Sequence, residues 1–266
     1  MPAWTDQAAL DRTVRYLQEA QNADGGFGSV RGGASDPGIS AWVAIALAAA
    51  GINPFDQARP GGVDVATYLL RRTRFAVTTD YARAALVALA AGIPLRDFAG
   101  TDLVAGLLAA QLPDGSFRHG PPEPGTVPTG GVNDTAFAVL ALGGVREPAV
   151  EAAVQRAVAW LLRVQNPDGG WEFTTSSTVS SSDITGAVVQ ALRHAGHADT
   201  DAERRALAFL RTRQQPDGGF SYSATQPGSN TASTAWATQA LWAAGIDPRT
   251  WRARGGDPFD YLRAKQ

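Results

Sequence analysis

Gln165-Asn-Pro-Asp-Gly-Gly-Trp171 is one of four copies of a single short phrase in this chain. Residues 21–27 read QNADGGF, residues 111–117 read QLPDGSF and residues 214–220 read QQPDGGF. Each copy has Gln, two variable residues, Asp, Gly, then Gly or Ser, and an aromatic ring. Glycine here tolerates the left-handed backbone that stops a helix. The aspartate favours a turn by accepting a hydrogen bond from the backbone ahead of it. The Gln and the ring are expected to pack one repeat against the next, which makes the phrase a joint and not a catalytic loop. The motif residues are thus Gln21, Asp24, Gln111, Asp114, Gln165, Asp168, Gln214 and Asp217. The aspartates lie 90, 54 and 49 residues apart. The first interval spans two periods, and a helix over 63–72 stands where one copy of the motif is missing.

Two kinds of helix alternate between the motifs. One is amphipathic: Leu10, Val14 and Leu17 share a face, with Asp11, Arg12, Arg15 and Glu19 opposite. Val154, Val158 and Leu161 repeat the stripe, with Gln155, Arg156 and Arg163 outside. The other kind has almost no polar face: AWVAIALAAA (41–50), AALVALAA (84–91), AFAVLALGG (136–144), AVVQAL (187–192) and AWATQALWAA (235–244). A helix that is apolar all round must be buried on most sides. Gly51, Gly92, Gly196 and Gly245 supply left-handed stops. The alternation predicts an all-α fold with amphipathic helices outside and apolar helices inside, a two-layer α/α toroid. Tyr261-Leu262 precedes Gln266 as Tyr16-Leu17 precedes Gln21. The expectation is therefore one repeat domain over 1–266 with six outer and five inner helices, about five and a half pairs of an (α/α)6 ring, either cut just after Gln266 or closed with one inner helix absent.

Composition narrows the partners. The net charge of −2 and the scattered basic residues give no electrostatic reason to expect nucleic acid. With no cysteine, disulfides, thiolate metal sites and a cysteine nucleophile are excluded. The longest near-apolar run, Ala41–Ile52, is too short to span a bilayer. The opening residues, MPAWTDQ, lack the basic and apolar stretches of a signal peptide. Compartment stays open between the cytosol and export with a leader removed.

The repeated Q-x-x-D-G-G/S-F/W phrase resembles the QW-type repeat of the terpenoid cyclase and protein prenyltransferase superfamily. That superfamily comprises α/α toroids such as squalene-hopene cyclase, oxidosqualene cyclases and prenyltransferase β-subunits. The stretches LAAAGINP (47–54) and LWAAGIDP (241–248) look like small bacterial repeat proteins of unassigned activity within it. The layout is also similar, more distantly, to the helical domain of cobalamin carriers. Class II cyclases protonate an alkene through Asp-x-Asp-Asp-Thr-Ala. The matching string here is Gly131-Val132-Asn133-Asp134-Thr135-Ala136, which keeps Asp134 but puts Asn133 at the proton donor. Asparagine has no proton to donate. The zinc of prenyltransferases needs Asp, Cys and His. Cysteine is absent, and His119, His194 and His197 do not form a ligand set. No metal and no cofactor are expected.

Every long loop (27–38, 113–132, 171–182, 220–232) leads from an amphipathic helix to the next apolar one, so function is sought at that end. Aligned on their Ala-Leu pairs, the apolar helices place Asp80, Asn133 and Asp183 at one position and Asp134 one residue on. Ser40, Thr135, Thr185 and Thr234 follow. These residues fit helix N-caps. Alternatively, Asp134, Asp183 or Asp80 is a general acid raised by burial. Trp42, Trp236 and Phe137, with Asn133 and His119, are candidates to line a site for an apolar small molecule. Trp42, Trp236 and Phe137 also fit as core. The reading favoured is a binding or scaffold toroid for an apolar or isoprenoid-like ligand, with degenerate catalytic motifs. The alternatives are a minimal class II cyclase using a displaced Asp and a cobalamin-carrier-like domain.

Overall fold

The structure, a computed structural model, describes residues 6–266. It forms two compact units, Met1–Ala109 and Ala110–Gln266. In unit 1 the amphipathic α1 (Gln7–Ala20) and α3 (Val65–Arg72) and the short α5 (Leu103–Leu108), whose sequence LVAGLL has no polar side chain, alternate with the apolar α2 (Pro37–Ala49) and α4 (Thr78–Ala91). In unit 2 the apolar α6 (Val132–Leu142), α8 (Ser182–His194) and α10 (Thr231–Ala243) alternate with α7 (Pro148–Arg163), α9 (Asp201–Arg213) and α11 (Pro258–Arg263). The expected eleven helices are thus present in the expected alternation among the described residues, with α5 departing from the amphipathic pattern.

Packing follows the hydrophobic pattern. α2 packs on α4, and α8 lies between α6 and α10. Each apolar helix also meets the helix that follows it: α2 with α3, α4 with α5, α6 with α7, α8 with α9, α10 with α11. α7 buries only the stripe of Val150, Ala153, Val154, Ala157, Val158, Trp160 and Leu161, whereas α6 buries most of its circumference. Small residues permit close approach. A Cβ on Gly186 of α8 would stand 2.7 Å from the Trp236 carbonyl oxygen of α10.

The apolar helices begin before their apolar runs, and three of them, α2, α8 and α10, start on a polar side chain that caps the first turn. Asp36, Ser181 and Asn230 accept from the backbone N–H three residues on, at 2.8, 3.4 and 2.8 Å. The acids read as N-caps lie inside the helices instead. Asp80 is three residues past Val77, the residue before α4, and accepts from the backbone N–H of Ala76 and Val77 at 3.1 Å each.

The repeated phrase is a joint with defined chemistry. Each motif Gln donates from Nε2 to the carbonyl of the first glycine, four residues ahead, and to a carbonyl of the next repeat. The second acceptors are Gln57 at 3.0 Å, Ala153 at 2.7 Å, Ala202 at 2.8 Å, and Trp251. The first glycines, Gly25, Gly115, Gly169 and Gly218, have φ of 92°, 95°, 91° and 89°. They also press on the next repeat, where a Cβ on Gly169 would sit 2.6 Å from the Arg205 oxygen. The rings of Phe27, Phe117, Trp171 and Phe220 are buried. Their backbone N–H groups donate to Ser40, Thr135, Thr185 and Thr234 at 2.8–3.0 Å. That hydroxyl position, expected to be an N-cap, therefore clips each turn to the apolar helix after it.

Two of the loops following the motif carry short antiparallel strands, an addition to the all-helical expectation. β1 (Phe117–Arg118) pairs with β2 (Gly130–Gly131), and β3 (Phe220–Ser223) pairs with β4 (Gln226–Asn230).

Candidate functional site at the loop end of unit 2

The N-terminal turns of α6, α8 and α10 and the loops ahead of them gather the polar side chains that the joints leave over. At α6, Asp134 is buried and its Oδ1 lies 3.0 Å from His119 Nδ1, an exposed ring on the β1–β2 loop. Asp134 Oδ2 fills the space beside Gly131, so a Cβ there would come within 2.5 Å of it. Asn133 is half-buried one residue earlier.

At α8 the helix starts at Ser182, with Ser181 as its cap, and Asp183 follows. The Ser233 hydroxyl of α10 donates to Asp183 Oδ1. Burial pushes the Asp183 carboxyl above the usual carboxylate range. The Ser233 hydroxyl pulls it back, and the negative charge of Glu172 pushes it up again. The Tyr222 hydroxyl, on β3, donates to Glu172 Oε1 at 3.1 Å. Burial raises Tyr222 as well, opposed by a hydrogen bond with Ser181. Asp183, Glu172, Tyr222, Ser181 and Ser233 thus form one cluster drawn from three segments. Glu172 and Tyr222 directly follow motif aromatics, or nearly so, but nothing in their local sequence marks them. Only the packing of α8 against α10 and β3 brings them to Asp183.

The start of α6 also meets the 171–181 loop, since Val132 N–H donates to the Phe173 carbonyl at 3.0 Å. Phe173 and Val179 on one loop and Val127 on the other are exposed apolar side chains. Phe137 and Trp236 pack edge to face, with ring centroids 5.9 Å apart and planes at 83°. Phe137 is buried and Trp236 half-buried where the two rings meet. Asp80 and Trp42 belong to unit 1. Asp80 pairs with Arg83 at 2.7 Å, and Trp42 is half-buried on α2. No group of three or more His, Asp or Glu among the described residues could hold a metal ion. No described helix is long and apolar enough to cross a membrane.

Comparison with known proteins bears on this arrangement. Residues 110–221 match the family model of the squalene-hopene cyclase C-terminal domain, and residues 1–75 match the prenyltransferase alpha-alpha toroid domain. The fold is that of the terpenoid cyclase and prenyltransferase α/α toroids. Among solved structures, the apo form of the type II terpene cyclase MstE from Scytonema is similar, with a TM-score of 0.72 at 19% identity. That match covers 98% of this chain and 79% of MstE. A protein from Actinoplanes matches with a TM-score of 0.68 at 18% identity over 98% of this chain and 81% of its own. The ent-copalyl diphosphate synthase from Streptomyces platensis matches with 0.57 at 22% identity, over 89% of this chain and 46% of its own. MstE has been solved with geranylgeranyl dihydroxybenzoate as substrate and with merosterolic acid A as product. No curated protein matches the sequence.

Proposed function

We propose that this toroid binds an apolar, isoprenoid-like small molecule at the loop end of unit 2 and does not protonate it. The carrying observation is the α6 start. The residue aligned with the cyclase proton donor is Asn133, and the one retained acid, Asp134, is engaged by His119. Gly131 cannot become the leading Asp of the cyclase string without displacing the Asp134 carboxylate. Exposed Phe173, Val179 and Val127 around a polar cluster give this end the mixed surface expected of a ligand mouth. The isoprenoid complexes of MstE support the ligand class. Incubation with squalene, geranylgeranyl diphosphate and farnesyl diphosphate should give no cyclised product, while prenyl compounds should change the intrinsic tryptophan fluorescence. A cyclised product would overturn the non-catalytic reading.

One observation favours a second reading, a cyclase with a displaced acid. Asp183 is raised by burial and faces the Ser233 hydroxyl, which suits a general acid. Under that reading Asp183→Asn removes all turnover, and Asp134→Asn does not.

A further inference from the structure

We infer that the other end of unit 2 carries a second small-molecule site, for a zwitterionic amino acid with an aliphatic side chain. The site is a cleft between the C-terminal ends of α6 and α8 and the flank of α7. It stands independently of the reading of the loop end.

The repeats supply their own reference. The apolar helices end in LAAAGI (47–52), ALAAGI (88–93), LALGGV (140–145), LRHAGH (192–197) and LWAAGI (241–246). The residue after the glycine stop is Ile or Val in four of them and His197 in α8. The backbone there is unchanged. His197 N–H donates to the Leu192 carbonyl at 2.9 Å, as Ile52, Ile93 and Ile246 do to Leu47, Ala88 and Leu241 at 3.0, 2.8 and 2.9 Å. Helix capping therefore does not call for the imidazole, since an aliphatic side chain suits that position. Its Nε2 lies 3.0 Å from Gln155 Oε1 of α7. Two further departures are matched. His194 replaces the Ala or Leu of the other four ends, and Gly143 replaces their Ala. A Cβ on Gly143 would stand 2.5 Å from His194 Cδ2, so the glycine makes room for the ring. Arg193 turns to Glu203 instead.

At this point lies an open cleft of about 330 Å³, a volume suited to a small ligand. Leu142, Val145 and Val154 give it apolar walls, while Arg146, Glu151 and Gln155 join His194 as its polar groups. Arg146 Nη1 stands 3.9 Å from Glu151 Oε1, beyond hydrogen-bond reach. Neither side chain makes a hydrogen bond among the described residues, so both keep their bonding capacity. A ligand carboxylate would take the guanidinium. A ligand ammonium would take Glu151, at a place where two helix C-termini favour positive charge. A ligand with both charges leaves neither residue unpaired, whereas a simple acid or a simple amine meets one like charge. The apolar walls receive its side chain.

Three probes with one tail test this: leucine, 4-methylpentanoate, which lacks the ammonium, and isopentylamine, which lacks the carboxylate. Each is titrated against the whole chain by calorimetry. Leucine should bind more tightly than either analogue by on the order of tenfold, the worth of one charge-assisted hydrogen bond. Arg146→Gln should weaken leucine by a similar factor without weakening isopentylamine. Glu151→Gln should weaken leucine without weakening 4-methylpentanoate. Gly143→Ala should lower the leucine affinity by driving the His194 ring into the cleft, with urea unfolding confirming that the variant folds. Leucine that fails to bind at millimolar concentration overturns the inference. So does leucine that binds no more tightly than its analogues, or whose affinity is indifferent to both charge substitutions.

Discussion

Ser116 and Gly130 face each other across the base of the β1–β2 hairpin in a reversed arrangement of what the other repeats do. Elsewhere a glycine follows the first Gly, and a serine lies five residues before the clip hydroxyl. Gly26 faces Ser35, Gly170 faces Ser180 and Gly219 faces Ser229, with an added Cβ 2.6, 2.5 and 2.9 Å from the serine Cβ. Each of those serines donates to the motif aspartate, at 2.7 Å to Asp24, 2.6 Å to Asp168 and 2.7 Å to Asp217. In the QLPDGSF copy the hydroxyl comes from Ser116, and Gly130 leaves room for it. One pocket holds one Cβ and one hydroxyl, supplied from either side.

Exchanging the pair should therefore be tolerated where single changes are not. Gly170→Ser should cost about 1–3 kcal/mol by overpacking against Ser180. Ser180→Gly should cost less, through a lost hydrogen bond and a freer backbone. The double variant should recover most of both losses. Urea unfolding of the four proteins measures the coupling, and simple additivity would refute the shared-pocket account.

Gln165 tests the joint itself. Its Nε2 donates to Gly169 at 2.7 Å and to Ala202 at 2.8 Å, one acceptor in its own turn and one in the next repeat. Gln165→Ala should cost roughly 1–3 kcal/mol by leaving carbonyls unpaired. Gln165→Glu should cost more at neutral pH, since a carboxylate would then face two carbonyl oxygens. Thermal melts at pH 7 give the order, and an Ala variant less stable than Glu would contradict the assignment.

The pair of half-buried Arg193 and buried Glu203, at the other end of the apolar helices, is a separate test. Arg193 Nη2 of α8 bonds Glu203 of α9, Asp199 at 2.9 Å and the Ala244 carbonyl at 3.2 Å. Glu203 is 2% exposed, and the Arg193 Nε is buried without a hydrogen-bond partner. Glu203→Ala should cost about 1–3 kcal/mol, because it removes the buried partner and leaves the guanidinium to the exposed Asp199. Replacing both, as Arg193→Met with Glu203→Leu, should return much of that stability. Denaturant midpoints decide it; a double variant no better than the single one would argue against the ionic account.

Asp183 predicts a pH signature. Its folded-state pKa lies above the ordinary aspartate value of 3.8. The folded chain thus holds this proton more tightly than the unfolded chain does. The contribution to stability is fully present below the unfolded value and is lost as pH rises through the folded one. Asp183→Asn should gain on the parent protein between pH 3 and pH 7. Melting temperatures of the two proteins across that range should diverge in the variant's favour as pH rises. Parallel curves would show that the carboxyl is not raised.

The fold was written into the sequence because its determinants are local and periodic. The spacing of Leu10, Val14 and Leu17, the apolar runs and the four glycine turns each act within a few residues, so their consequences could be read directly. The jointing role of Gln21, Gln111, Gln165 and Gln214 was legible for the same reason, although their second acceptors were not. At the candidate site, Asp134 and His119 were both picked out, yet they lie 15 positions apart in the chain and only the hairpin makes them partners. Ser40, Thr135, Thr185 and Thr234 looked like caps because hydroxyls at helix starts usually are. Their use as clips depends on where the preceding turn lands. Asp183 lies 50 residues from Ser233, and Glu172 lies 50 from Tyr222. Those meetings are decided by helix packing across repeats, a long-range arrangement that no local pattern encodes. The sequence by itself determined the scaffold, and the tertiary structure alone decided which polar groups share one end of it.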